Sequence, residues 1–178
     1  MTVVTPETHS LPRNRFAPNS RLPILIYRDC LPLPITEASA KSFLESHAWL
    51  HGGTWGHIPR RHFHPNTHEC YGIFQGESTM LVGCGHNDDE ADGLKLEVRK
   101  GDVIVLPAGT GHCNLTSTPD YRYVGVYPEG APKWRNELGK AEGPAIEALR
   151  KEAETVAMPK ADPVNGADGP LLTLWANA

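Results

Sequence analysis

The chain has 178 residues, 39% of them hydrophobic and 21% charged, a length that suits one domain with a sizeable core. With 17 basic against 21 acidic residues, a net charge of −4 excludes the cationic surface needed to grip a phosphate backbone, so no nucleic-acid partner is expected. No run approaches the roughly 20 apolar residues of a membrane span and residues 1–18 carry no apolar stretch of the signal type, so the expectation is a soluble cytoplasmic protein with no membrane partner.

The excess of glycine and proline, 17 and 16 residues, favours turns and short strands, hence an all-β domain. In chain order, residues 1–23 are rich in Pro, Asn, Thr and Arg without periodicity and read as a loosely packed N-terminal arm. Ile24–Tyr27 is a short β-prone run, and Thr36 is placed to cap a short helix over Glu37–Leu44. Strands are predicted near His62–His64, Cys70–Phe74, Ser78–Val82, Leu94–Val98, Val103–Leu106 and Tyr121–Tyr127, separated by turns such as Gln75-Gly76-Glu77 and Lys100-Gly101-Asp102. The acidic run Asp88 to Asp92 lacks the spacing of a calcium loop and reads as a solvated hairpin connection. Pro144 opens an amphipathic helix over Ala145–Val156, with Ile146, Leu149, Ala153 and Val156 on one face, and the apolar Leu171–Trp175 tail is expected to pack back on the sheet. The domain plan is therefore an arm (1–23), a β-barrel with flanking strands (24–143), and a C-terminal helix and tail (144–178). Cys30, Cys70, Cys84 and Cys113 form no Cys-x-x-Cys pair and are expected as buried thiols.

The chemistry concentrates in His62-Phe63-His64, Glu69 and His112. Alternate residues on a strand share a face, so His62 and His64 can converge on one ion; His112 from a neighbouring strand would add a third imidazole and Glu69 a carboxylate. Such a nitrogen and oxygen set suits one divalent transition metal, whether Fe, Mn, Ni, Co or Zn, and leaves open positions if the ion takes six ligands. Strict alternation would turn His68 rather than Glu69 toward the ion, but Pro65 interrupts the ladder and can reset the parity, so Glu69 is preferred and His68 stays open. If Glu69 faces inward, Tyr71, Ile73 and Gln75 should do so too. Tyr121, Tyr123 and Tyr127 share a face opposite Val124 and Val126. Arg60 and Arg61, beside the histidines, could meet an anionic substrate or be solvated.

The spacing resembles a known family. Gly56, five residues, His62-x-His64, four residues, Glu69, six residues and Gly76 is similar to the first cupin motif; Gly101, five residues, Pro107-x-Gly109, two residues and His112 is similar to the second up to its histidine. The second motif's closing Asn, four residues after the histidine, is here Thr116, with Asn114 two residues earlier. The runs His62 to Glu69, Leu106 to His112 and Pro163 to Leu171 look like the YjlB-like cupins, a branch that implies a fold and a metal site but no substrate. The resemblance implies a cupin barrel, a small jelly roll or double-stranded β-helix, with the N-terminal arm and C-terminal α-helix added, and assigns the fourth ligand to Glu69.

The function expected is a metal-dependent enzyme acting on a small oxygenated or carboxylate molecule at the barrel mouth, with dioxygenase or oxidoreductase chemistry preferred. His68, Tyr71 or Tyr123 would be the proton-transfer group. Isomerase, decarboxylase or lyase chemistry, or a non-catalytic small-molecule or metal-binding module, are the alternatives. The arm, helix and tail have two open readings: a cap over the pocket or the contact surface of a homodimer.

Overall fold

The computed structural model describes residues 3–178, so the first two residues of the predicted arm lie outside the described residues. Among the described residues nine strands and three α-helices follow in the order β1 (Glu7–His9), β2 (Ile24–Tyr27), α1 (Glu37–Glu45), β3 (Trp49–Trp55), β4 (Glu69–Gln75), β5 (Glu77–Val82), β6 (Leu94–Arg99), β7 (Val103–Leu106), β8 (His112–Ser117), β9 (Arg122–Pro128), α2 (Pro144–Glu154) and α3 (Pro170–Ala176), with one 3-10 turn at Glu90–Asp92. A six-stranded sheet, β1-β2-β7-β4-β9-β3, faces a three-stranded sheet, β6-β5-β8. All pairings are antiparallel.

The large sheet is apolar on both faces, which is why β2 and β7 read as unbroken runs, Ile-Leu-Ile-Tyr and Val-Ile-Val-Leu, instead of alternating. Ile24, Ile26, Ile104 and Leu106 join Tyr71, Ile73, Met80 and Val82 in an inner core between the sheets. Leu25, Tyr27, Val103 and Val105 join Leu44 of α1 and Leu171 and Trp175 of α3 in an outer core. Thr36 caps α1 by accepting from Ser39 N–H at 3.1 Å. The C-terminal apolar run does pack back, as α3: Pro170 occupies its first turn and Trp175 Nε1 donates to Pro23 O at 2.9 Å.

Three expectations need correction. The arm is not loosely packed: β1 extends the large sheet, Phe16–Asn19 are buried, and Asn19 Nδ2 donates to Gly83 O at 2.8 Å. Asp88 is not a solvated loop residue. It is buried, and its two oxygens accept from Phe16 N–H at 3.0 Å and Gly85 N–H at 2.8 Å, tying the arm to the hairpin loop. His62–His64 is not a regular strand, since only isolated bridges, His62 to His112 and Phe63 to Glu137, hold it in place. Cys70, Cys84 and Cys113 are buried free thiols, and Cys30 is half-buried. None of the described helices is long and apolar enough to cross a membrane.

Candidate metal centre

His62 and His112 pair across an antiparallel bridge, His112 N–H donating to His62 O at 2.8 Å and His62 N–H to His112 O at 3.2 Å. That bridge brings their rings to 4.3 Å between centroids, and His64 sits 5.2 Å from His62 and 5.5 Å from His112. One ligand nitrogen from each ring lies within 4.8 Å of the other two. Glu69, the first residue of β4, opposes Leu106 across the sheet and is 4% exposed. Its Oε2 stands 3.1 Å from His64 Nε2 and 3.2 Å from His112 Nε2.

The tautomers follow from partners that can only accept. Nδ1 of His62 faces Arg60 O at 2.8 Å, Nδ1 of His64 faces Arg135 O at 3.0 Å, and Nδ1 of His112 faces Thr110 O at 2.9 Å. Each Nδ1 therefore carries a proton; Nε2 of His62 and His112 presents a lone pair to the cluster, and Nε2 of His64, hydrogen-bonded to the Glu69 carboxylate at 3.1 Å, does so once its second proton leaves. Nε2 of His112 is buried with no hydrogen-bond partner. Three lone pairs converging beside a carboxylate oxygen repel one another unless a cation or an added proton lies between them. The donor set therefore fits a divalent transition ion, and the backbone carbonyls are the outer groups that orient metal-binding imidazoles.

Charge is arranged to match. Burial, then the neighbouring His112, pulls His62 down to about 3, so it stays neutral. Burial also works to lower His64, but the adjacent Glu69 carboxylate outweighs it and leaves His64 raised. Burial alone would raise Glu69; His64 and His112 reverse this and hold its carboxyl well below the usual range. Tyr127 of β9 donates to Glu69 Oε1 at 2.6 Å.

Of the fourth-ligand alternatives, the geometry brings Glu69 to the histidines and turns His68 away. Residues 65–66 form a bend before β4, which resets the alternation where Pro65 stands. His68 lies on the outer side, its ring 4.7 Å from Trp175 and its Nδ1 accepting from Ala108 N–H at 3.0 Å. Burial pulls it down to about 4. It faces away from the cluster, which does not favour the proton-transfer role expected of it. Tyr71 and Tyr123 do face the cluster, stacked at 3.9 Å between centroids; burial, then Glu69, holds both phenols well above their usual range, so both are neutral. Gln75 breaks the expected inward series. A register shift after Ile73 turns it out to solvent.

The cavity over the cluster has a volume of about 150 Å³. Its upper walls are Trp55, Ile58, Trp134 and Asn136, none of which the motif spacing points to. Trp55 ends β3, and Trp134 lies in the loop after β9, where a Pro- and charge-rich stretch offers no periodicity to read. That loop is pinned by Asn66, which donates to Lys133 O at 2.9 Å and accepts from Arg135 N–H at 3.0 Å. Arg60 and Arg61 do not enter. Arg61 donates to Asp88 O at 2.7 Å, and Arg60 is exposed. At the motif's departure, Asn114 is buried on β8, accepting from Ile58 N–H at 2.8 Å and donating to Ser78 Oγ at 2.7 Å, while Thr116 is exposed. Asn114 thus anchors the segment leading to the histidines.

A family model described as Cupin matches residues 58–150, just over half of the chain. The chain is 29% identical over 170 residues to the uncharacterized protein YjlB of Bacillus subtilis strain 168, covering 95% of this chain and 96% of that one. Among solved structures, a protein with a double-stranded beta-helix domain from Klebsiella pneumoniae aligns over 77% of this chain and 86% of its own, at 14% identity and a TM-score of 0.37. The 11S globulin from Wrightia tinctoria aligns over 66% of this chain but 22% of its own, at 11% identity and a TM-score of 0.36.

Proposed function

Because the chain belongs to the cupin family, we propose that it is a metal-dependent enzyme in which His62, His64, His112 and Glu69 hold one divalent transition ion and the adjoining cavity admits a small oxygenated substrate. The observation that carries this reading is the set of three imidazoles, each with Nδ1 spent on a backbone carbonyl and Nε2 aimed at the others, beside a buried carboxylate. A metal so held would supply Lewis acidity and, as Fe(II), electrons for dioxygen; oxidoreductase chemistry of the dioxygenase type is the preferred reaction class.

The chain's own contributions are to bind and to orient. Tyr127 fixes the Glu69 carboxylate, Trp55 and Trp134 narrow the approach of water, and the neutral hydroxyls of Tyr71 and Tyr123 are available as hydrogen-bond donors. Those two protonated phenols beside the cluster also favour a second reading, proton-transfer chemistry of the isomerase or decarboxylase kind. Oxygen uptake by iron-loaded protein across small phenols, diketones and keto acids tests the first reading. Substrate-dependent uptake is expected. Turnover of a keto acid without oxygen uptake would support the second reading, and no turnover with any metal would reduce the protein to a binding module.

A further inference from the structure

The cavity above the histidines is walled by flat rings, and the backbone beneath them is made of glycine. Gly53 of β3 pairs with Gly125 of β9, and the Trp55 ring lies directly on both: a Cβ at Gly53 would stand 2.5 Å from that ring and one at Gly125 2.3 Å. A Cβ at Gly52 would stand 2.4 Å from the Tyr127 ring and 2.9 Å from that of Trp134. Under about 3 Å such contacts force atoms apart, so three side-chain-free positions are needed to seat this wall. The rings then support one another. Trp134 stacks on Tyr127 at 4.5 Å and 5°, and meets Trp55 edge-on at 5.8 Å and 87°.

From this geometry, and resting on the metal reading above, we infer that the ligand is a single-ring phenol or catechol that lies against the Trp55–Trp134 pair in the cavity they line and reaches the ion through its oxygen. Three observations select that class. A cavity of about 150 Å³ is the size that accepts one benzene ring. Among the described residues no Lys or Arg side chain lines it, and Asn136 is the uncharged amide at the mouth, so a second carboxylate or a phosphate would have no counter-charge. A divalent ion with Glu69 leaves one net positive charge, which a single phenolate oxygen neutralises and a cationic ligand would oppose.

The test is binding, measured by tryptophan fluorescence and calorimetry on full-length protein loaded with Zn(II), with metal content assayed before and after. Catechol and phenol are the probes, oxalate and pyruvate the comparators, and the variants are Trp134→Leu and Trp55→Leu. Expected are catechol binding at least tenfold tighter than oxalate and a loss of tenfold or more in each variant, with metal content and circular dichroism unchanged. Oxalate or pyruvate binding more tightly than catechol, or catechol binding indifferent to both tryptophans, overturns the inference while the metal reading stands. Wild-type protein that holds no Zn(II) overturns the metal reading instead. If both variants lose their fold, Trp134→Phe, which keeps a ring, must retain catechol binding within threefold of wild type; a larger loss counts against the inference.

Discussion

The hydroxyl of Tyr127 donates a 2.6 Å hydrogen bond to Glu69 Oε1, leaving Oε2 to face His64 and His112. The two residues lie on adjacent strands of the large sheet, so the carboxylate is aimed by the sheet and not by its own loop. Tyr127→Phe removes only that oxygen. Metal affinity is expected to fall about 10- to 100-fold, as when an outer partner of a ligand is lost, with a stability loss of about 1–3 kcal/mol for the orphaned buried oxygen. Competition titration with a chromogenic chelator measures the first, and urea unfolding the second.

Variants also separate the two candidates for the fourth ligand. Tag-free protein is expected to carry close to one divalent ion per chain. His62→Ala and His64→Ala should lose it, Glu69→Gln should weaken it, and His68→Ala should leave it in place, because His68 faces Trp175 on the other side of the sheet. Metal analysis of the purified variants decides. Ion retained by the double variant at His62 and His64 would remove the site. Acid should release the ion below about pH 5–6, as the imidazoles take up protons instead.

Buried His68 is expected to make the fold acid-sensitive independently of metal. Its folded value is depressed to about 4 against an ordinary 6.5. Between those values the unfolded chain binds the proton and the folded chain does not. The contribution is therefore fully present above about pH 6.5 and is lost as pH falls to 4, about 3 kcal/mol in all. Compared under chelator, His68→Phe is expected to start lower at pH 7, having lost the bond from Ala108, but to show a flatter stability curve between pH 6.5 and 4. Parallel curves for the two proteins would refute the assignment.

Gly125→Ala drives a methyl group to 2.3 Å from the Trp55 ring. The expected cost is about 1–3 kcal/mol, a fall of roughly 2–12 °C in melting temperature for a chain of this size. Adding Trp55→Leu should return part of that loss, a coupling that a double-mutant cycle reads directly.

Much of the barrel was legible because it obeys local rules. The runs Ile24–Tyr27 and Val103–Leu106 are strands to the residue, and Thr36 caps its helix. Strand β3 was not legible. Its centre, His51-Gly52-Gly53, looks like a loop, and the reason for those glycines is the space taken by aromatic rings from β3, β9 and the loop beyond. Strand β8, His112–Ser117, has weak β propensity and is held by pairing with β5. The tail helix carried an apolar run too short to distinguish from a strand.

By itself the sequence determined that three histidines and a carboxylate stand at the spacings of a metal site inside a turn-rich β domain, since those spacings act over a few residues of chain. Whether Glu69 or His68 joins them was decided by the tertiary structure. Across the bend at Pro65, side-chain parity has no local rule to follow, and it is set by which residue of β4 meets Leu106 on β7. The same is true of the pocket walls. Trp134 lies 70 residues from His64 in sequence but is joined to it through the carbonyl of Arg135, a contact that only the folded chain creates.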